Sequence, residues 1–398
     1  MGAADLGALA SHPAVDVVAL CDVDTQRLGA AGERHPAARR FADFRTMFRE
    51  LADGIDAVHV STPDHTHAAA AMTALDHGKH VYCQKPLTHD VFEARRLREA
   101  VAGTKLVTQM GTQIHSTTPY RTAVRAIRGG VIGRVREVHS WSNKTWGYDG
   151  PAPTPSPVPP TLDWNLWLGT AAERPYAEGH YHPGNWRRWC DFGCGTMGDM
   201  AIHILDPVWG SLDLTAPVAI ESTSPPPPTA SFGMRNQTRF TFPGTPFTTE
   251  RFQLTWSDGG AMPDTTTWPL DAPAGGRLPL PDQGSMFIGE KGCLLLPHVA
   301  MPQLLPADTF AATALEPAPD GNHWHLFVDA CLGGPPTTAS FAYAGPLTEA
   351  VLLGTIANRF PGRPLTWAAD TMTIPDHDAA AALLRRRYRS GFEVTRLA

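Results

Sequence analysis

The chain has 398 residues, enough for two domains that each bury a core. Its 33 Lys and Arg against 39 Asp and Glu leave a formal net charge of -6, and no long basic run interrupts that balance, which argues against nucleic-acid or membrane-surface binding. No stretch approaches the ~18 consecutive apolar residues of a membrane span, and the start lacks the basic and apolar run of a secretory signal. As written, the chain is expected to be soluble and cytoplasmic, with small molecules and copies of itself as partners. The six cysteines stand at 21, 83, 190, 194, 293 and 331 with no Cys-x-x-Cys pair, so neither a disulfide framework nor a metal site is expected.

Residues 1 to 118 alternate two kinds of segment. "VDVVALCD" (15–22), "GIDAVHVSTPD" (54–64), "HVYCQ" (80–84) and "KLVTQMG" (105–111) are short apolar runs ending in polar or turn residues, the pattern of parallel strands buried on both faces. "HTHAAAAMTALDHG" (65–78) reads as an Ala-rich helix stopped at Gly78, and "THDVFEARRLREAV" (88–101) as a helix with Thr88 at its N-cap. This alternation predicts a doubly wound parallel sheet of the Rossmann type.

After the helix "PYRTAVRAIRGG" (119–130) the texture changes. "GRVREVHSWS" (133–142), "NQTRFTFPG" (236–244), "PFTTERFQLTWSDG" (246–259) and "GSMFIGEKGCLLLP" (284–297) alternate apolar and polar residues, as half-exposed antiparallel strands do. Residues 119–398 are therefore expected to form an α+β domain built on an open, mostly antiparallel sheet. The Pro-rich stretches at 150–160 and 224–228 read as surface connections.

A dinucleotide site needs a strand, a Gly-rich turn, a helix whose N-terminus meets the pyrophosphate, a second strand and an acid for the ribose hydroxyls. Gly2 occupies the place of the last glycine of that turn, and Asp22 follows at the separation expected of the ribose acid, about 20 residues. The first strand itself has no counterpart. Because that strand is central in the usual order, its absence should split the sheet. The expectation is that Met1 is an internal methionine of a longer reading frame.

"STPDHTH" (61–67), "GKHVYCQKPLTHDVFEA" (78–94) and "GTMGDMAIHILD" (195–206), with "LDWNLWLG" (162–169) and "GPLTEAVLLGTIANRFPGRPLTW" (345–367), resemble the glucose-fructose oxidoreductase, inositol dehydrogenase and MocA-like (Gfo/Idh/MocA) family. The resemblance implies an N-terminal Rossmann domain, a C-terminal open-sheet domain, and hydride transfer between nicotinamide and a sugar, sugar derivative or cyclic polyol. Most of the family carries Glu-Lys-Pro after the strand beside the nicotinamide; here the triplet is Gln84-Lys85-Pro86. The lysine is kept and the acid is not.

Oxidising a secondary alcohol removes a proton from oxygen as hydride leaves carbon, so Lys85 at the end of a parallel strand is placed to hold or relay that proton. Asp199 and His203 lie four apart, on one face of a helix, where His203 can take the proton and Asp199 can orient it. The resemblance joins this pair to Lys85 at the substrate, giving Lys85, Asp199 and His203 as catalytic residues. Cofactor contacts are expected from Gly2, Asp22, Thr62, Pro63, His67, Gln84, Lys85 and Pro86, with Asp64 and His65 beside them. Asp22 favours NAD over NADP, because its charge repels the extra phosphate, although Arg27 softens that repulsion. The loop "HYHPGNWRRWCDFG" (180–193) supplies Tyr181, His182 and Arg187 as expected substrate contacts, aromatic faces and planar donors suiting a polyhydroxylated ligand.

Two other readings stay open: a redox-neutral enzyme that retains NAD while cleaving a glycoside, and a ligand-sensing relative without catalysis. A homo-oligomer is expected through the open sheet, taken to present a partly apolar face. Chains with "CQKPLTH" often carry an upstream twin-arginine signal, which would make the location periplasmic.

Overall fold

A computed structural model describes residues 1–271 and 276–397. The chain opens with helix α1 (Gly2–Ala10), followed by β1 (Ala19–Cys21), α2 (Thr25–Arg34), β2 (Arg39–Phe41), α3 (Phe44–Leu51), β3 (Ala57–Val60), α4 (Asp64–Asp76), β4 (His80–Cys83), α5 (Val91–Val101) and β5 (Thr108–Met110). All strand pairs here are parallel, but they form two separate sheets, β1-β2 and β3-β4-β5. Among the described residues no ladder joins β1 to β3, so the parallel sheet is split as expected. Val18, just before β1, is 41% exposed, and Ala57, which begins β3, is exposed as well.

Local chemistry sets the element boundaries. Pro63 ends the β3 turn and leads into α4, whose run of alanines is buried between the strands and the loops above them. The N-cap of α5 is Asp90 rather than Thr88. The Asp90 carboxylate accepts the Glu93 N–H at 2.9 Å while Glu93 accepts the Asp90 N–H at 3.2 Å, a reciprocal box that a Thr two residues earlier cannot close.

Helix α6 (Thr118–Arg128) leads to β6 (Val135–Ser142), α7 (Trp164–Leu168), a π-turn at Met197–Ala201, α8 (Ile202–Ile204), α9 (Asp206–Leu212), β7 (Ala219–Ser222), β8 (Asn236–Pro243), β9 (Thr248–Asp258), β10 (Gln283–Gly289), β11 (Cys293–Pro297) and β12 (Gln303–Leu305). The chain closes with α10 (His323–Cys331), α11 (Phe341–Ala357), β13 (Leu365–Thr366) and α12 (Asp378–Ala381). The third sheet runs β12-β11-β10-β6-β9-β8-β7-β13, antiparallel throughout except for the parallel pair β6-β9. The segment 284–297 is thus the hairpin β10-β11.

Alternation gives this sheet two unlike faces. Val138, Leu254, Phe240 and Ile220 stand in one cross-strand row and point into the core; their neighbours Glu137, Gln253, Arg239 and Glu221 face outward. Along this row the outer face is charged and polar, but on the same face Trp141, Met286 and Leu295 pack with Trp268 and Leu270 in an apolar cluster, so the face is partly apolar, as expected. The buried apolar cluster is also continuous across residue 118, joining Leu97 and Met110 to Phe240 and Leu353. In place of two independent cores, α11 is buried almost all round between α5 and the third sheet. This shared core holds the carboxyl end of β4 against the π-turn.

Candidate active site

Lys85 leaves the end of β4 and points at Asp199 in the π-turn. Its Nζ donates to Asp199 Oδ1 at 2.6 Å and to the Asp199 carbonyl at 3.0 Å, with the two side chains only 8% and 12% exposed. Asp199 Oδ2 accepts the Trp146 indole N–H at 2.7 Å, and Oδ1 also meets Arg187 Nε at 3.3 Å. Burial alone would raise the Asp199 pKa, but Lys85, then Arg187, then the Lys85 and Trp146 hydrogen bonds outweigh it and hold the carboxyl below its ordinary range.

His203 lies one turn beyond, 5% exposed, and its Nδ1 has no hydrogen-bond partner among the described residues. Burial, reinforced by Lys85 and His298, pushes its pKa well below the usual histidine value, so the ring is neutral at pH 7. No hydrogen bond joins it to Asp199, whose oxygens are taken by Lys85, Arg187 and Trp146. The expected Asp199–His203 hydrogen bond is therefore replaced by an Asp199–Lys85 pair. The physical reason is that Lys85 offers a charge-assisted donor to a buried carboxylate, a stronger partner than a neutral imidazole.

Asp64, the first residue of α4, is buried near the same charges. Desolvation pushes its pKa up to about 7, against the pull of Arg187 and Lys85. His67 does not present its ring to solvent: it is 1% exposed and bridges Pro86 O at 2.8 Å and Thr62 O at 2.9 Å, tying the loop after β3 to the turn after β4. Thr62 is exposed above it and Pro63 half-buried. His65 lies in the core against Trp167 O and Phe192 O. Gln84 is 4% exposed, its Oε1 accepting the Lys85 N–H at 3.2 Å, and Pro86 is buried beside it.

Of the three expected substrate contacts, only Arg187 joins the Lys85 group, stacked 4.2 Å over Trp186 and 5.4 Å from Trp146. Tyr181 is 4% exposed and packs in an aromatic cluster with Trp164, Trp189 and Phe192. His182 sits 3.2 Å from Asp24, near the ribose end rather than the reacting end. The loop is too rich in aromatics to stay open: burying its rings is worth more than displaying them.

Trp146 and His298 were not singled out by sequence. Trp146 follows β6 in a loop with no motif, and only its indole contact with Asp199 marks it. His298 follows β11, shares a hydrogen bond with the Tyr120 hydroxyl at 2.7 Å, and its ring lies tilted 6.2 Å from that of His203.

A nicotinamide dinucleotide fits part of this surface well. Gly2 begins α1 beside Ser61, and no side chain caps the helix N-terminus by a hydrogen bond. Asp22 follows β1, its carboxylate accepting the Asp24 N–H at 2.9 Å. Asp22, Thr62–Pro63 and the Gln84–Pro86 turn all follow the carboxyl ends of parallel strands. Among the described residues no group of three or more His, Cys, Asp or Glu side chains is placed to hold a metal ion, and no helix is long and apolar enough to cross a membrane.

A split Rossmann sheet joined to an open, mostly antiparallel sheet, with a Lys–Asp pair and a buried histidine between them, defines a two-part dinucleotide-binding protein of the oxidoreductase type. The chain belongs to the Gfo/Idh/MocA oxidoreductase family: residues 1–112 match its NAD-binding Rossmann-fold model and residues 134–245 its C-terminal alpha/beta domain, together more than half of the chain. It is 27% identical over 174 residues to levoglucosan dehydrogenase of Pseudarthrobacter phenanthrenivorans, covering 43% of this chain, and 35% identical over 132 residues to inositol 2-dehydrogenase of Rubrobacter xylanophilus, covering 32%. Each match spans 37% of the relative's length. The fold is similar to that of levoglucosan dehydrogenase in complex with NADH and levoglucosan, with a TM-score of 0.59 at 17% identity over 95% of this chain and 98% of that one. It is also similar to the WlbA dehydrogenase from Bordetella pertussis in complex with NADH and UDP-GlcNAcA, with a TM-score of 0.62 at 14% identity over 93% and 96%.

Proposed function

We propose that the chain is an NAD-dependent dehydrogenase acting on a secondary hydroxyl of a sugar, sugar derivative or cyclic polyol. The observation that carries this reading is the meeting of Lys85, Asp199 and His203 at the carboxyl end of β4, with Lys85 Nζ 2.6 Å from Asp199 and the His203 Nδ1 unpartnered. The named relatives act, by their names, on levoglucosan and inositol, which supports the substrate class.

Bound nicotinamide supplies the C4 that accepts or returns hydride. The first turn of α1 and Asp22 would hold the pyrophosphate and ribose, and Thr62, Pro63 and the Gln84–Pro86 turn the nicotinamide end. His203, neutral and with a free nitrogen, takes the proton from the substrate hydroxyl as its carbon gives up hydride. Lys85 donates a hydrogen bond to the same oxygen and stabilises the charge that develops there. Asp199 holds Lys85 in place. Arg187 and Trp146 brace Asp199, and the buried setting strengthens each of these contacts.

The test is calorimetric titration with NAD and NADH, followed by NADH formation from levoglucosan, myo-inositol and D-apiose. Saturable NADH binding and substrate-dependent NADH formation, lost in Lys85→Met, is the expected result. Release of an aglycone from a glycoside without NADH accumulation would replace the dehydrogenase reading with the redox-neutral one. Absence of cofactor binding would overturn both. Homo-oligomer formation belongs to the same proposal and is read by sedimentation.

A further inference from the structure

Gln84 stands where most of the family carries an acid, and the structure supplies an acid from elsewhere. Asp5, in the first turn of α1, is fully buried. Its Oδ2 accepts Gln84 Nε2 at 2.8 Å and Ser61 Oγ at 3.1 Å, and its Oδ1 accepts Trp324 Nε1 at 3.0 Å; His59 Nε2 lies 3.4 Å from Oδ2. Helix α1, strands β3 and β4 and helix α10 thus converge on one carboxylate.

Gln84 has little freedom to do otherwise. A Cβ on Gly111 would come within 2.7 Å of Gln84 Nε2, so the glycine there gives the amide its room. With the amide nitrogen committed to Asp5, Oε1 is left for the Lys85 N–H. The contacts run in series: Asp5 fixes the Gln84 amide, and Gln84 fixes the start of the turn that carries Lys85.

We propose that Asp5 is a positioning residue of the site, its carboxylate standing in for the acid absent at position 84 and locking the Gln84-Lys85-Pro86 turn to the cofactor-facing end of α1. The proposal rests on the cofactor reading above. A buried carboxylate satisfied by three hydrogen-bond donors is costly to bury without them, so its place in α1 and the amide at 84 are matched. A second carboxylate at 84 would face Asp5 at hydrogen-bond distance, and like charges so close must share a proton.

The test is a cycle of Asp5→Asn, Gln84→Glu and the double variant, read by NADH affinity from fluorescence between pH 5 and 8, with thermal unfolding to confirm the fold. Asp5→Asn is expected to weaken NADH about tenfold, the loss of one charge-assisted hydrogen bond. Gln84→Glu is expected to bind NADH with a new dependence on pH in this range. The double variant, with one carboxylate again facing one amide, should recover affinity and lose the pH dependence. A packing role alone would not return that flat profile.

Wild-type binding with Asp5→Asn and Gln84→Glu both folded and unchanged in affinity would overturn the proposal, as would a double variant no better than the product of the singles. Failure of the wild-type chain to bind NADH would be a different result and would bring down the cofactor reading on which the proposal stands.

Discussion

Replacing Asp199 by Asn removes one charge from a site that holds two cations against it. Lys85 Nζ at 2.6 Å and Arg187 Nε at 3.3 Å both lose their only carboxylate within salt-bridge distance among the described residues, and the Lys85 side chain is 8% exposed. Breaking a buried pair by removing one partner costs about 3–5 kcal/mol, because the remaining charge is left desolvated. The Trp146 bond, now to a neutral amide, weakens as well. The expected loss at pH 7 is therefore about 3 kcal/mol or more. Its pH dependence has a definite sign. The folded Asp199 pKa lies below the unfolded one, so its contribution is full above the unfolded value near 3.8 and is lost as pH falls through the folded value. Urea unfolding of wild type and Asp199→Asn at pH 7 and at pH 3 measures both. The stability gap should be large at pH 7 and narrower at pH 3. A gap under about 1 kcal/mol at pH 7, the size of an exposed pair, or one that widens in acid, would refute the account of the pair.

Two further perturbations probe the same physics. Asp64 has a folded pKa raised to about 7 by burial, so the unfolded chain loses this proton first and wild-type stability should fall between pH 4 and 7; Asp64→Asn should remove up to about 4 kcal/mol of that decline, seen as a flatter profile in urea. Arg386 joins the C-terminal segment to α5, donating to Glu93 at 2.7 Å with Asp90 at 3.6 Å, while Tyr388 also donates to Glu93 at 2.6 Å. Arg386→Ala leaves two buried carboxylates without their cation and should cost about 3–5 kcal/mol, with a lower thermal midpoint and faster proteolysis of the C-terminal segment.

The parallel strands at β1, β3 and β4 could be read from sequence because each is a short apolar run closed by a turn, and Asp22, Thr62 and Lys85 then fall just past their carboxyl ends by chain order alone. The split between β1 and β3 followed from the same order. Less could be read where tertiary context decides. The parallel β6-β9 pair joins strands more than 100 residues apart, and nothing in either strand specifies its neighbour. The residues "HYHPGNWRRWCDFG" displayed the right chemistry for binding, yet packing claims Tyr181 and an acid near Asp22 claims His182. Trp146, His298 and Asp5 carry no motif, and each acquires meaning only from the group it faces. Asp5 is the sharpest case: the sequence exposed the missing acid at position 84, and only the fold shows where a carboxylate returns.

The central claim is that this site moves hydride between a sugar-type carbon and nicotinamide. The most direct measurement is label transfer: levoglucosan and myo-inositol deuterated at their ring carbons, incubated with NAD and the wild-type chain, with the nicotinamide analysed by mass spectrometry. The account predicts one deuterium at C4 of the NADH formed from a substrate of the proposed class, and none with Lys85→Met. NADH formed without deuterium from a substrate labelled at every ring carbon, or no transfer from either compound although NAD binds, would contradict it.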